Sequence, residues 1–191
     1  MEAVKTEAIN LETAKQIIEQ YIYAKDYNRP HLMSAVFHKS AVLEMRVNSD
    51  SIAFPPVTHG ADNIADILSR QFGATYDNVY TLCLDDSVCL NGMMLDCRWL
   101  VVMTHKSDKS CRIGFGRYEW TFSNCPEIKT NKLTIIIDDM FVLEPSNAGS
   151  ILSWVSRKPY PWCHSSELLE NIPAIAESEA VKGGLMRSKL A

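Results

Sequence analysis

The stretch from Lys109 to Phe122, KSCRIGFGRYEWTF, constrains the fold more than any other part of the chain. It is too long and too aromatic for a loop, and its side chains sort with a period of two. One face carries Arg112, Gly114, Gly116, Tyr118, Trp120 and Phe122, the other Cys111, Ile113, Phe115, Arg117, Glu119 and Thr121. Two glycines on one face of a strand forfeit packing and mark a bend or a close approach by another group. Beyond them stand a phenol and an indole, each an apolar body with a polar tip. The pattern predicts a curved strand bending over a cavity, with Tyr118 facing inward.

The surroundings of that strand divide into helices first and strands afterwards. Asn10 is placed to cap a helix in which Leu11, Ala14, Ile18, Tyr21, Ile22 and Lys25 recur at three- and four-residue steps. Pro30 opens a second short helix, HLMSAVF, followed by the strand AVLEMRV. A third helix, NIADILSRQF, is expected to end at Gly73. From there the runs VYTLCL, MLDCRWLVVMTH and LTIIIDDMFVL join the opening strand in a meander, with Asn91-Gly92 as a hairpin turn. This order argues for an α+β domain whose antiparallel sheet curls around the helices, leaving a cavity between its concave face and the first helix. Asp138 and Asp139 interrupt an apolar strand, so either one points inward or the strand bulges there.

Bulk properties exclude several function classes. The 191 residues suit one domain with an appendage, and 47% hydrophobic residues suffice for a core. A net charge of -4 without a basic stripe gives no reason to expect nucleic acid. No stretch has the length of a membrane span, and MEAVKTEAIN lacks the apolar core of a secretory signal. The cysteines at 83, 89, 97, 111, 125 and 163 show no paired spacing and read as buried thiols of a cytoplasmic protein. Arg187 with Lys189 is too small a basic cluster to matter, and the five histidines lack metal-ligand spacing. No metal or other cofactor is expected.

Taken together, AKDYNRP at the end of the first helix, HKSAVLEMR, THGADNIADIL and GRYEWTF resemble the nuclear transport factor 2-like, or SnoaL-like, superfamily over roughly residues 10 to 144. The resemblance implies a cone of strongly bent antiparallel strands holding helices, with a pocket in its mouth. Members include ketosteroid isomerase, scytalone dehydratase and polyketide cyclases, alongside proteins that only bind ligands or other proteins. By comparison with ketosteroid isomerase, Tyr21 falls at the catalytic tyrosine and Tyr118 at the oxyanion-hole acid. The position of its general base is Met45, which cannot abstract a proton.

The resemblance thus implies a homodimer that binds a small apolar or polyketide-like molecule. If the protein is an enzyme, it is a cofactor-free isomerase, dehydratase or cyclase. Tyr118 and Tyr21 would donate to a developing oxyanion, with Glu44 or Asp138 as the base. Glu44 is one residue from the base position and points to the other face unless a bulge intervenes. Trp120, Trp99, Arg98, Arg112 and His59 complete the candidate ligand contacts. Asp96 and Arg98 share a strand face and could form a pair. Alternatives are a non-catalytic ligand-binding protein, or an interaction module whose open sheet face carries Cys97, Trp99 and Val101. Residues 145 to 191 form a C-terminal extension, too aromatic for a solvated linker. Tyr160 and Trp162 in it are expected to pack back on the domain or on a partner subunit.

Overall fold

A computed structural model describes residues 8–124 and 126–187. Residues 1–7, Cys125 and residues 188–191, Lys189 among them, lie outside the described residues. The first helix, α1 (Leu11–Asp26), starts where its cap predicts: Asn10 Oδ1 accepts from the Thr13 amide at 2.8 Å. A 3₁₀ turn at Pro30–Leu32 and α2 (Met33–Val36) lead into β1 (Phe37–Val47). After β2 (Val57–His59), helical structure runs from α3 (Ala61–Ala65) through a π-helical stretch, Asp66–Gln71, to α4 (Phe72–Thr75). Gly73 therefore does not end the helix. It lies within it, because a Cβ there would come within 2.6 Å of the Asn28 side chain just beyond α1.

The meander follows as β3 (Tyr76–Leu84), β4 (Cys89–Asn91), β5 (Met94–His105), β6 (Cys111–Ser123) and β7 (Lys129–Leu143). The extension adds α5 (Ala148–Val155), β8 (Trp162–Cys163), α6 (Ser165–Leu169) and α7 (Ser178–Met186). The strands form one sheet in the order β2-β1-β7-β6-β5-β3-β8, with β4 paired to β5. It is antiparallel except for β1 with β7 and β3 with β8, which are parallel. A purely antiparallel sheet is thus corrected at two places, both joined through long connections where no hairpin dictates direction.

Strand β6 is the centre of the sheet, and its glycines explain the curvature. Phe115 pairs with Asp139 but Gly116 pairs with Ile137, so Asp138 is an extra residue bulged out of β7. A Cβ on Gly116 would lie 1.9 Å from the Ile136 carbonyl oxygen, so only glycine lets the strands meet at the bulge. The sheet has two buried faces. Its concave side holds Tyr21, Leu43, Trp99, Tyr118, Trp120 and Leu133 in one apolar cluster with the N-terminal helices. Its convex side, bearing Leu82, Leu100, Val102, Ile113 and Phe115, is covered by Ile151, Trp154, Leu168, Val181 and Leu185 of the extension. Each fully buried side chain of this kind contributes about 1.5–3 kcal/mol. Among the described residues, no helix is long and apolar enough to cross a membrane.

Candidate functional site

Tyr21 and Lys25 stand one turn apart on the buried face of α1 and face the concave sheet. Tyr118 comes from β6 and Trp99 from β5. The rings of Tyr21 and Tyr118 meet edge to face, with centroids 5.8 Å apart, and Trp99 stacks on Tyr118 at 5.4 Å. Between them lies a cavity of about 40 Å³, walled also by Met45, Met103 and Met140 and closed by Ile52 and Phe54 of the loop after β1. That volume holds roughly one or two waters, so a larger occupant has to displace side chains. The three methionines are the flexible part of the wall.

The polar groups that reach this cavity are mostly donors. Burial pushes the phenols of Tyr118 and Tyr21 up, keeping both protonated at neutral pH. Against that rise the neighbouring Tyr118 hydroxyl pulls Tyr21 back down, although the two do not meet in full hydrogen-bond geometry and the Tyr21 hydroxyl is buried without a hydrogen-bond partner. The indole nitrogens of Trp99 and Trp120 are equally without partners. An unpartnered buried donor costs about 1–3 kcal/mol, and such groups persist where something else uses them.

Beside the phenols sits a buried ion pair that sequence reading missed. Lys25 Nζ donates to Asp26 Oδ1 at 2.6 Å and to Thr81 Oγ1 at 2.7 Å. The Thr81 amide donates to Asp26 Oδ2 at 2.7 Å and the Thr81 hydroxyl to Asp26 Oδ1 at 2.9 Å. Tyr160 of the extension donates its hydroxyl to Asp26 Oδ2 at 2.9 Å. Four donors occupy both carboxylate oxygens, leaving Asp26 no free acceptor site for use as a base. The signal was present: a lysine inside the apolar stripe of α1 must bury its charge, and a buried charge needs a partner.

The remaining candidates fall elsewhere. Glu44 lies on the opposite side of β1 from Met45, bound to Lys132 Nζ at 2.7 Å, and Lys132 holds its carboxyl below the usual range. Asp138 sits at the bulge and takes Arg98 Nη1 at 3.0 Å, on the convex side where the extension packs. The expected carboxylate base is thus corrected: period-two alternation turns Glu44 outward, and the bulge does the same for Asp138. Arg98 is likewise a convex-face residue, paired with Asp138 rather than with Asp96. Asp96 instead faces Glu119 across the strands and is raised by burial and by that neighbour.

Arg112 stays on the concave face but acts at the rim, donating to the Ser51 carbonyl of the closing loop and lying over the Tyr76 ring. His59 is exposed on β2 and does not line the cavity. Trp120 is fully buried against Tyr21, with ring centroids 5.1 Å apart, behind the cavity wall. Cys97, Trp99 and Val101 face the interior, which removes them from any outer docking surface. Among the described residues no cluster of three or more acidic, histidine or cysteine side chains could hold a metal ion.

No family model matches the sequence, and no curated protein matches it. Solved structures do resemble the fold. A type 2 hexachlorocyclohexane dehydrochlorinase (LinA) superposes with a TM-score of 0.56 at 11% identity, over 69% of this chain and 88% of that one. A nuclear transport factor 2-like superfamily protein from Salmonella enterica gives 0.54 at 16% identity, over 65% and 87%. A protein of ketosteroid isomerase-like fold from Catenulispora acidiphila, in complex with trimethylamine, gives 0.51 at 10%, over 63% and 83%. At these identities the likeness shows architecture alone. The chain has the nuclear transport factor 2-like cone fold, with a C-terminal extension laid over the convex face of its sheet.

Proposed function

We propose that the cone binds a small, largely apolar molecule carrying an oxygen acceptor, to which Tyr118 and Tyr21 donate. One observation carries this reading: the Tyr21 hydroxyl is buried beside a cavity with no partner, next to a second protonated phenol. Binding is favoured over isomerase, dehydratase or cyclase chemistry, because Glu44 and Asp138 lie outside the cavity and Asp26 is saturated. A polyketide-like ring compound fits the aromatic walls, provided the methionines and the loop carrying Ile52 and Phe54 give way.

Native mass spectrometry of gently purified protein, set against the denatured mass, tests it. A retained small molecule is expected in the wild type, with roughly tenfold weaker retention in Tyr118→Phe, which loses one hydrogen bond. Retention unchanged by that substitution counts against the assignment of Tyr118. Turnover of the recovered molecule by the wild type would restore the enzymatic reading.

A further inference from the structure

Among the described residues that line the cavity, Lys25 supplies the only formal charge. Its ammonium has three protons. Two are committed, to Asp26 and Thr81, and the nitrogen lies 4.9 Å from the centroid of the Phe72 ring, itself a cavity wall. Among the described residues the ammonium makes no third hydrogen bond, so its remaining proton is left to the Phe72 ring face or to an acceptor entering the cavity beside it. The Asp26 carboxylate already balances the ammonium, and both side chains are almost completely out of water, at 6% and 0% exposure. Bringing a second carboxylate into this space adds an uncompensated buried charge. A neutral carbonyl oxygen accepts the same donors and adds none.

We infer that the cavity recognises a neutral carbonyl compound, a ketone, quinone or lactone on an apolar body, through Lys25 Nζ. The inference rests on the ligand-binding reading above and deepens it. Lys25 is a ligand-contacting residue. Asp26 and Tyr160 are positioning residues that act through it, since Tyr160 bonds the same carboxylate that holds the ammonium. The extension thereby reaches the site through one hydroxyl. The Tyr160 ring is wedged against Tyr27 and Tyr80, with centroids 6.5 and 6.3 Å away, which fixes where that hydroxyl points.

The test uses the full chain and three probes of one ring size. Cyclopentanone offers a carbonyl, methylenecyclopentane is its isostere without an acceptor, and cyclopentanecarboxylate is the anion. Binding is followed by titration on the methyl signals of Met45, Met103 and Met140. In the wild type cyclopentanone is expected to bind roughly tenfold tighter than the alkene, with the carboxylate weakest. The double variant Lys25→Met/Asp26→Leu removes both charges together and should lower that preference severalfold, with Tyr118 and Tyr21 still donating, while the alkene still binds. Tyr160→Phe, a loss of one oxygen, should lower the preference severalfold and leave alkene binding alone. An effect on packing only would move both probes equally, and would overturn the role given to Tyr160.

Failure of both neutral probes to bind the wild type overturns the cavity reading itself. Equal binding of ketone and alkene by the wild type leaves the cavity standing and overturns its recognition of an oxygen acceptor altogether, whereas a preference undiminished in the double variant overturns Lys25 alone. A carboxylate that binds tightest overturns the neutral class. Should the double variant not fold, the wild-type series and Tyr160→Phe still decide.

Discussion

The two faces of one sheet bury tryptophans in opposite ways. Under the extension, Trp154 shares its indole N–H between the carbonyls of Leu168 at 3.1 Å and Glu170 at 3.2 Å. Inside the cone, Trp99 and Trp120 are just as buried and bond nothing through that atom, and neither does the Tyr21 hydroxyl. In the convex cluster the buried indole N–H of Trp154 is thus satisfied along with the apolar area. The concave cluster keeps its packing but leaves these donors without a partner among the described side chains, two of them, on Tyr21 and Trp99, beside the cavity. If the cavity binds a ligand as proposed, stability and recognition lie on separate faces of one sheet.

Removal of the convex cover should give the largest effect. Deleting residues 145–191 uncovers Leu82, Leu100, Val102, Ile113 and Phe115, all at most 5% exposed. The truncated chain should aggregate far more than the full one, read as the soluble fraction after lysis and the mass on size-exclusion chromatography. Trp154→Ala is the milder form of the same break and should cost about 3–5 kcal/mol in denaturant unfolding. A truncated chain as stable and as soluble as the full one would show that the convex cluster contributes little to holding the fold together.

Much of this division was legible in the sequence, and the reasons are particular. Asn10 and the stripe behind it mark α1. The Gly114/Gly116 pair and the Asp138-Asp139 interruption each point to the same distortion, the bulge between β6 and β7. Period-two alternation along β6 by itself sends Tyr118 and Trp120 to one cluster and Ile113 and Phe115 to the other. Less legible was anything settled by partners distant in sequence. Gly73 looks like a helix end, yet its reason is the Asn28 side chain 45 positions earlier. Lys25 stands out within the apolar stripe of α1, but its partners do not, because Thr81 and Tyr160 arrive from β3 and the extension. Alternation along β1 already sends Glu44 to the face opposite Met45, whereas only the registry of β6 and β7 shows that Asp138 bulges out of its strand.

A smaller effect concerns how the extension is fastened. Asp86, in the turn after β3, accepts from the Ser165 amide at 2.9 Å and from the Ser165 hydroxyl, with His164 Nε2 3.8 Å away. Burial alone would raise its carboxyl, but the Ser165 bonds and His164 outweigh that and leave it below the usual range. The unfolded chain then takes up the proton first as pH falls. The contribution is present in full above the ordinary aspartate value of about 3.9, and is lost as pH drops through the lower folded value. Asp86→Asn should therefore cost ~1 kcal/mol at pH 7, and the gap to wild type should close as the pH falls below the ordinary aspartate value and through the lower folded one. A gap that stays constant with pH would mean that Asp86 fastens the extension by shape and not by charge.

The smallest effect expected is the one that separates the faces most sharply. Tyr21→Phe removes a hydroxyl that is fully buried and without a partner, so the folded state loses no hydrogen bond and the unfolded state loses one to water. Stability should stay level or rise by up to ~1 kcal/mol in equilibrium unfolding, while Trp154→Phe, which leaves two carbonyls short of a donor, should lose about 1–3 kcal/mol. Opposite signs for two buried aromatic changes on one sheet are hard to obtain unless the concave donors are idle in the empty protein. A loss at Tyr21 comparable to that at Trp154 would mean that water already fills the cavity and bonds the phenol. Any ligand would then have to displace that water, and its own oxygen would gain correspondingly less.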